Sequence, residues 1–124
     1  VAKLSPSTSQ SQLDSLSARL RSADAIVLAA YVRPVEGGGR TSVPPHVAAW
    51  IDSVAAQPNA AVIAFGNPYI IRQFPRTRTY INAYGVGDAL ETAAARALAG
   101  VARIGGKSPV SLPGFFNRGD GLSR

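Results

Sequence analysis

The chain has 124 residues, 46% of them hydrophobic, with no cysteine, a single histidine and a formal net charge of +6. That length suits one domain able to bury roughly two-thirds of the surface its unfolded chain exposes, and the missing residues exclude a disulfide framework, a thiolate nucleophile and zinc sites built on several Cys and His ligands. The positive charge rests on eleven arginines and two lysines, and reads as a solvated basic face or as a complement to another part of a larger protein.

Residues 1–12 are rich in Ser, Thr and Gln and read as a linker or exposed lead-in, with a short strand at Val1–Leu4. Residues 13–124 are expected to form the domain. Leu13, Leu16 and Leu20 recur at helical spacing and predict an amphipathic helix over Gln12–Ser22. Ala23–Val32 is nearly continuously apolar and predicts a strand covered on both faces, as in a parallel sheet. Its longest apolar run, Ala25–Val32, is too short to span a bilayer. No leader-peptide pattern opens the chain. Arg33–Pro45 is a loop with Gly37-Gly38-Gly39 at its tip. Pro44-Pro45 then leads into a helix over Val47–Ala55, with Val47, Trp50, Ile51 and Val54 on one face.

Ala60–Phe65 predicts the second buried strand, ended sharply by Gly66-Asn67-Pro68. Tyr69–Phe74 is expected to form a short helical turn closed by Pro75. Arg72, Arg76 and Arg78 lie around Phe74 and Tyr80, which is the nearest approach to a nucleic-acid surface. Pro75 interrupts the run and no nucleic-acid-binding signature accompanies it, so no nucleic-acid partner is expected. Thr79–Tyr84 predicts the third strand. Asp88 is expected to cap a helix over Ala89–Ala99, with Glu91 at the third position and Gly100 ending it. Residues 101–124 are Gly- and Pro-rich, with one extended piece at Val110–Leu112.

Strands alternating with helices of about ten residues are the signal of a parallel α/β sheet. The expected fold is a small open parallel sheet with helices on both faces, a flavodoxin-like three-layer sandwich short of its first strand. Three strands make a small sheet, so the N-terminal segment, a neighbouring chain or a further segment is expected to complete it. In open α/β sheets ligands bind at the carboxyl ends of the strands. The candidate residues there are Arg33 and Glu36 after the first strand, and Gly66, Asn67 and Tyr69 after the second.

Other motifs carry less. Gly37-Gly38-Gly39-Arg40 does not open a helix and reads as a loop tip. Gly105-Gly106-Lys107-Ser108 lacks the earlier glycine of a phosphate-binding loop, because Val101 stands in its place, and Pro109 follows where a helix should run. Of the seven acids, Glu36 is the one placed for acid catalysis by its strand-end loop, and a structural or interface role is the favoured reading. His46 has no acidic or nucleophilic partner nearby in sequence and reads as surface or interface. There is no Gly-x-Ser-x-Gly elbow. No cofactor is implied.

Several segments together resemble the C-terminal domain of family 3 glycoside hydrolases. They are the strand Ala23–Val32, the turn Phe65-Gly66-Asn67-Pro68-Tyr69, the strand Tyr80–Tyr84 and the alanine-rich helix Ala93–Gly100. The segment Gly105–Pro113 and the closing Gly119-Asp120-Gly121-Leu122 complete the set. The resemblance runs from about Leu13 to Leu122, and its flavour is that of the β-N-acetylhexosaminidase-like subgroup. It departs at Ser108, where the family usually has Leu, and at Asp120, where the subgroup often has His. It begins partway into the family's domain, so the first strand is expected to be missing.

The resemblance implies an accessory domain of a retaining glycosidase that cleaves β-linked N-acetylhexosaminides or related β-glycosides. The nucleophile would lie on an N-terminal barrel, this chain's expected partner, and the chain alone would be inactive. The strand-end loops would then form a domain interface. The family setting implies secretion or the periplasm. The alternatives are a stand-alone module that binds a glycan or a protein, and a nucleotide- or phosphate-binding flavodoxin-like domain.

Overall fold

The computed structural model describes residues 1–32 and 42–122. In chain order it contains helix α1 (Gln10–Leu20), strand β1 (Ile26–Val32), helix α2 (Pro45–Ala55), strand β2 (Ala60–Gly66), a 3-10 helix (Pro68–Gln73), strand β3 (Tyr80–Asn82) and helix α3 (Asp88–Leu98). The fold is α/β, with a small open three-stranded parallel sheet in the order β1-β2-β3. The chain divides into two compact units, Val1–Val86 and Gly87–Arg124.

In the first unit, α1 starts two residues earlier than the leucine spacing predicts. Ser9 accepts from the Gln12 backbone N–H, and the Gln12 side chain accepts from the Ser9 N–H, which closes a capping box. Two orphan donors are satisfied in this way, and the helix can begin in polar sequence. The helix buries Leu13 completely. Trp50 of α2 donates its indole N–H to Ser17 of α1 at 2.7 Å, which fixes the two helices against each other. The lead-in forms no strand, yet Leu4 packs against the core and Thr8 is buried. His46 bonds the Thr8 carbonyl oxygen at 2.9 Å.

α2 opens with Pro45 in its first turn, where the missing N–H costs nothing. Its apolar face and the 3-10 helix cover one side of the sheet. Val47, Ile51, Ala55, Val62, Ala64, Ile70 and Phe74 form the main cluster there, joined by Leu28, Ala30, Val32 and Tyr80. Ile26, Val54 and Ala60 form a second cluster. Each large side chain so buried contributes about 1.5–3 kcal/mol.

β2, the central strand, is covered on both faces: Val62, Ile63, Ala64 and Phe65 are all at or below 4% exposure. β1 differs from its expected double cover. Val27 is 52% and Tyr31 51% exposed, because β1 lies at the sheet edge and its outward-facing residues have neighbours on one flank alone. β3 is also shorter than predicted. It pairs over Tyr80–Asn82, and the extended run ends by Tyr84, whose φ of 56° is left-handed.

In the second unit, α3 begins at Asp88 with Gly87 as its N-cap and no side-chain cap. Asp88 is therefore the first helical residue, where its charge still favours the helix N-terminus, and it is not the cap. Gly100, with φ 70°, follows the helix as predicted for a left-handed terminator. Beyond it, Val110–Leu112 forms no strand. Leu112 instead makes an isolated antiparallel bridge with Phe116.

Candidate functional site

The turn after β2 is the best-defined strand-end feature. Gly66 has φ 103°, and a Cβ placed on it would lie 2.7 Å from the Val32 carbonyl oxygen. A side chain is therefore excluded on both conformational and steric grounds. The close approach lets the Asn67 N–H donate to that same Val32 oxygen at 3.0 Å, which continues the β1–β2 ladder by one bond. Asn67 Oδ1 then accepts from the Tyr69 N–H at 3.0 Å and caps the 3-10 helix. Pro68 fixes the next residue, and its carbonyl accepts from the Tyr80 hydroxyl at 2.9 Å. The turn is thus held by β1 before it and by β3 after it.

Exposed tyrosines mark this end of the sheet. Tyr69 follows β2 and is 42% exposed, Tyr84 follows β3 and is 39% exposed, and Tyr31 near the end of β1 stacks on Phe65 with ring centroids 4.8 Å apart. Burial pushes the Tyr80 hydroxyl well above the usual phenol range. A hydrogen bond from the Ile71 backbone opposes this, and nearby Tyr84 adds to the upward push to a lesser degree. Asn82 Oδ1 is buried with no hydrogen-bond partner among the described residues.

Of the sequence candidates, the structure brings Gly66, Asn67 and Tyr69 together in one pinned turn. The roles differ: Gly66 and Asn67 shape the backbone, and Tyr69 presents an exposed ring. Arg33 and Glu36 lie outside the described residues, as does the Gly37-Gly38-Gly39 tip. The strand order is sequential, so the three strands contain no reversal of order, the feature that opens a ligand crevice in doubly wound sheets.

Three of the described acids bond close by. Asp52 pairs with Arg76, accepting from its backbone N–H at 2.9 Å and from Nε at 2.6 Å. Asp14 accepts from Gln10, and Asp120 accepts from the Asn117 N–H. Among the described residues no group of three or more His, Asp or Glu side chains could hold a metal ion. No described helix is long and apolar enough to cross a membrane. An open cleft of about 360 Å³ lies on the first unit, away from the strand ends, between the lead-in and α1. Lys3, Leu4, Thr8, Ser15 and Arg19 are among its lining residues.

In the second unit the two glycine-rich segments meet. The Ser108 N–H donates to the Asp120 oxygen and the Gly119 N–H to the Ser108 oxygen, both at 2.8 Å. Lys107 Nζ reaches the Gly121 carbonyl at 3.2 Å. A Cβ on Gly121 would collide with the Gly106 carbonyl oxygen. Lys107 and Ser108 therefore serve the tail's own backbone, which agrees with rejecting a phosphate loop.

Two features of the first unit escaped the sequence reading. The Ser9–Gln12 capping box was visible as a spacing. The two-way bond between Gln73 and the Val43 backbone, at 2.8 and 2.7 Å, was not, because it joins residues thirty apart. Comparison with known protein families, curated proteins and solved structures finds no match for this chain.

Proposed function

We propose that this chain is the accessory C-terminal domain of a family 3 glycoside hydrolase acting on β-linked N-acetylhexosaminides or related β-glycosides. The nucleophile resides on a separate barrel domain, and the strand-end surface at Gly66–Tyr69 packs against that barrel. The observation that carries this reading is the Phe65–Tyr69 turn. Its backbone is fixed by Val32, Asn67 and Tyr80 while Tyr69 remains exposed. A rigid turn with an outward aromatic ring suits an interface. It lacks the paired carboxylates that glycoside cleavage uses.

Two glycines of the motif segments support the reading. Gly66 and Gly121 each face a backbone carbonyl where a Cβ would sit, so the glycines of both segments have a physical reason to be glycine. Purified chain should release no chromophore from a chromogenic N-acetylglucosaminide, and robust hydrolysis would overturn the assignment. The full reading frame should carry a barrel segment upstream. The alternative of a stand-alone glycan module draws on the half-exposed Tyr31 ring stacked on Phe65, since sugar faces pack on exposed aromatic rings. Saturable binding of chitin or peptidoglycan fragments in a calorimetric titration would favour it.

A further inference from the structure

Side chains three apart in a 3-10 helix stand one above the other, so the helix after β2 presents three ridges. Two of them are engaged by the first unit. On the ridge of Pro68 and Ile71, Ile71 is buried. On the ridge of Ile70 and Gln73, Ile70 is buried and the Gln73 side chain makes two bonds to the Val43 backbone. The third ridge is Tyr69 and Arg72, and both are exposed.

The backbone under this ridge is held along its length. Asn67 bonds Val32 just before the helix, the Pro68 carbonyl accepts from the Tyr80 hydroxyl at its start, and Gln73 bonds Val43 at its end. An exposed ring and an exposed guanidinium are thus carried on a fixed scaffold. Binding through such a scaffold costs less ordering entropy than binding through a loose loop. Tyrosine and arginine are also among the residue types that carry most of the binding energy at protein interfaces.

Charge decides what fits. Residues 66–87 contain Arg72, Arg76 and Arg78 and no acid. Arg76 is paired with Asp52. Arg72 makes no ion pair or side-chain hydrogen bond among the described residues. The complement of an unpaired guanidinium is a carboxylate, which its planar fork binds through two parallel N–H donors. The complement of the neighbouring ring is apolar surface.

We infer that Tyr69 and Arg72 form the docking ridge for the barrel, which meets Arg72 with an Asp or Glu carboxylate and covers the Tyr69 ring with an apolar side chain. This rests on the accessory-domain reading and adds to it Arg72 and the chemistry of the partner. Arg78 serves as the internal comparison. It precedes β3, which runs parallel to β2, and therefore lies at the amino end of the strands, opposite the Gly66 turn.

Arginine-selective labelling with phenylglyoxal, read by mass spectrometry, tests the inference on this chain and on the intact protein that carries its barrel. In the chain alone both Arg72 and Arg78 should be labelled. In the intact protein Arg72 should lose its label and Arg78 should keep it. Arg72→Glu should leave the Tm of the isolated chain unchanged, because the side chain is exposed. In the intact protein the same substitution should remove the stabilisation that docking gives this domain, and its Tm should fall to that of the isolated chain. Tyr69→Ala should lower it part of the way. Arg72→Lys, which keeps the charge and loses the fork, should fall between Arg72→Glu and the unsubstituted protein.

Equal labelling of Arg72 and Arg78 in the intact protein overturns the inference. So does an Arg72→Glu protein whose domain melts as high as before. If the Tyr69 amide nevertheless exchanges more slowly in the intact protein than in the chain alone, the accessory-domain reading outlives that failure. A reading frame without a barrel ends both.

Discussion

The first unit is held by burial, the second mainly by its backbone. Phe74, Leu13 and Val62 are fully buried in Val1–Val86, and both hydrophobic clusters lie there. In Gly87–Arg124 the buried hydrophobic residues, among those described, are Ala94 and Leu112. Leu90, Leu98 and Val101 are 37%, 40% and 67% exposed. What orders that unit is a set of backbone bonds joining residues 108, 119 and 120, with Leu112 bridged to Phe116. An α/β chain can thus carry a dense core and a loop-built annex in consecutive sequence. The annex draws on turn chemistry more than on apolar area.

The contrast can be broken most directly at Phe74. Phe74→Ala should cost about 3–5 kcal/mol, the usual range for emptying a fully buried aromatic site. Leu98→Ala, on the exposed side of α3, should stay within about 0.5 kcal/mol. Urea denaturation of both variants measures the difference, and similar losses would show that the second unit is packed as firmly as the first.

Gly66→Ala comes next. A left-handed φ of 103° and the Val32 oxygen in the Cβ position together should cost about 1–3 kcal/mol. The loss should appear as a lower Tm and faster amide exchange at Asn67, whose N–H bonds that same oxygen. A variant as stable as the parent would mean that the turn is not pinned to β1.

The smallest effect concerns Tyr80 and is visible in alkali. Its hydroxyl pKa is raised in the folded state by burial, and a tyrosine in the unfolded chain ionises near 10. Below about pH 10 both states keep the proton and Tyr80 adds no pH dependence. Above it the unfolded state releases a proton that the folded state retains, so stability falls as pH rises. Tyr80→Phe should flatten that part of the stability profile while losing the bond to Pro68. An unchanged alkaline slope would show that other groups cause it.

The regular elements were largely legible because their signals are local. The apolar run at residues 25–32, the Pro44-Pro45 start of α2 and the glycine after α3 each announce themselves within a few residues. Boundaries shifted where side chains entered the backbone pattern. Ser9 and Gln12 moved the start of α1 earlier, Gly87 replaced Asp88 as the cap of α3, and the left-handed Tyr84 cut short the β3 run. At the strand ends, sequence pointed correctly to Gly66, Asn67 and Tyr69 as one turn. It could not separate the residues that shape the turn from the one that faces outward, because that division depends on Val32 and Tyr80, both distant in the chain.

By itself the sequence determined the class of fold, three strands with their intervening helices, and the sharp turn at Gly66-Asn67-Pro68. These follow from side-chain periodicity and turn chemistry, which act over a few residues. The tertiary structure alone decided that β2 is central and doubly covered while β1 is an edge with Val27 and Tyr31 half exposed. The apolar runs of the two strands are nearly indistinguishable as sequence. What separates them is the number of neighbours each acquires, which is a property of strand order and not of composition.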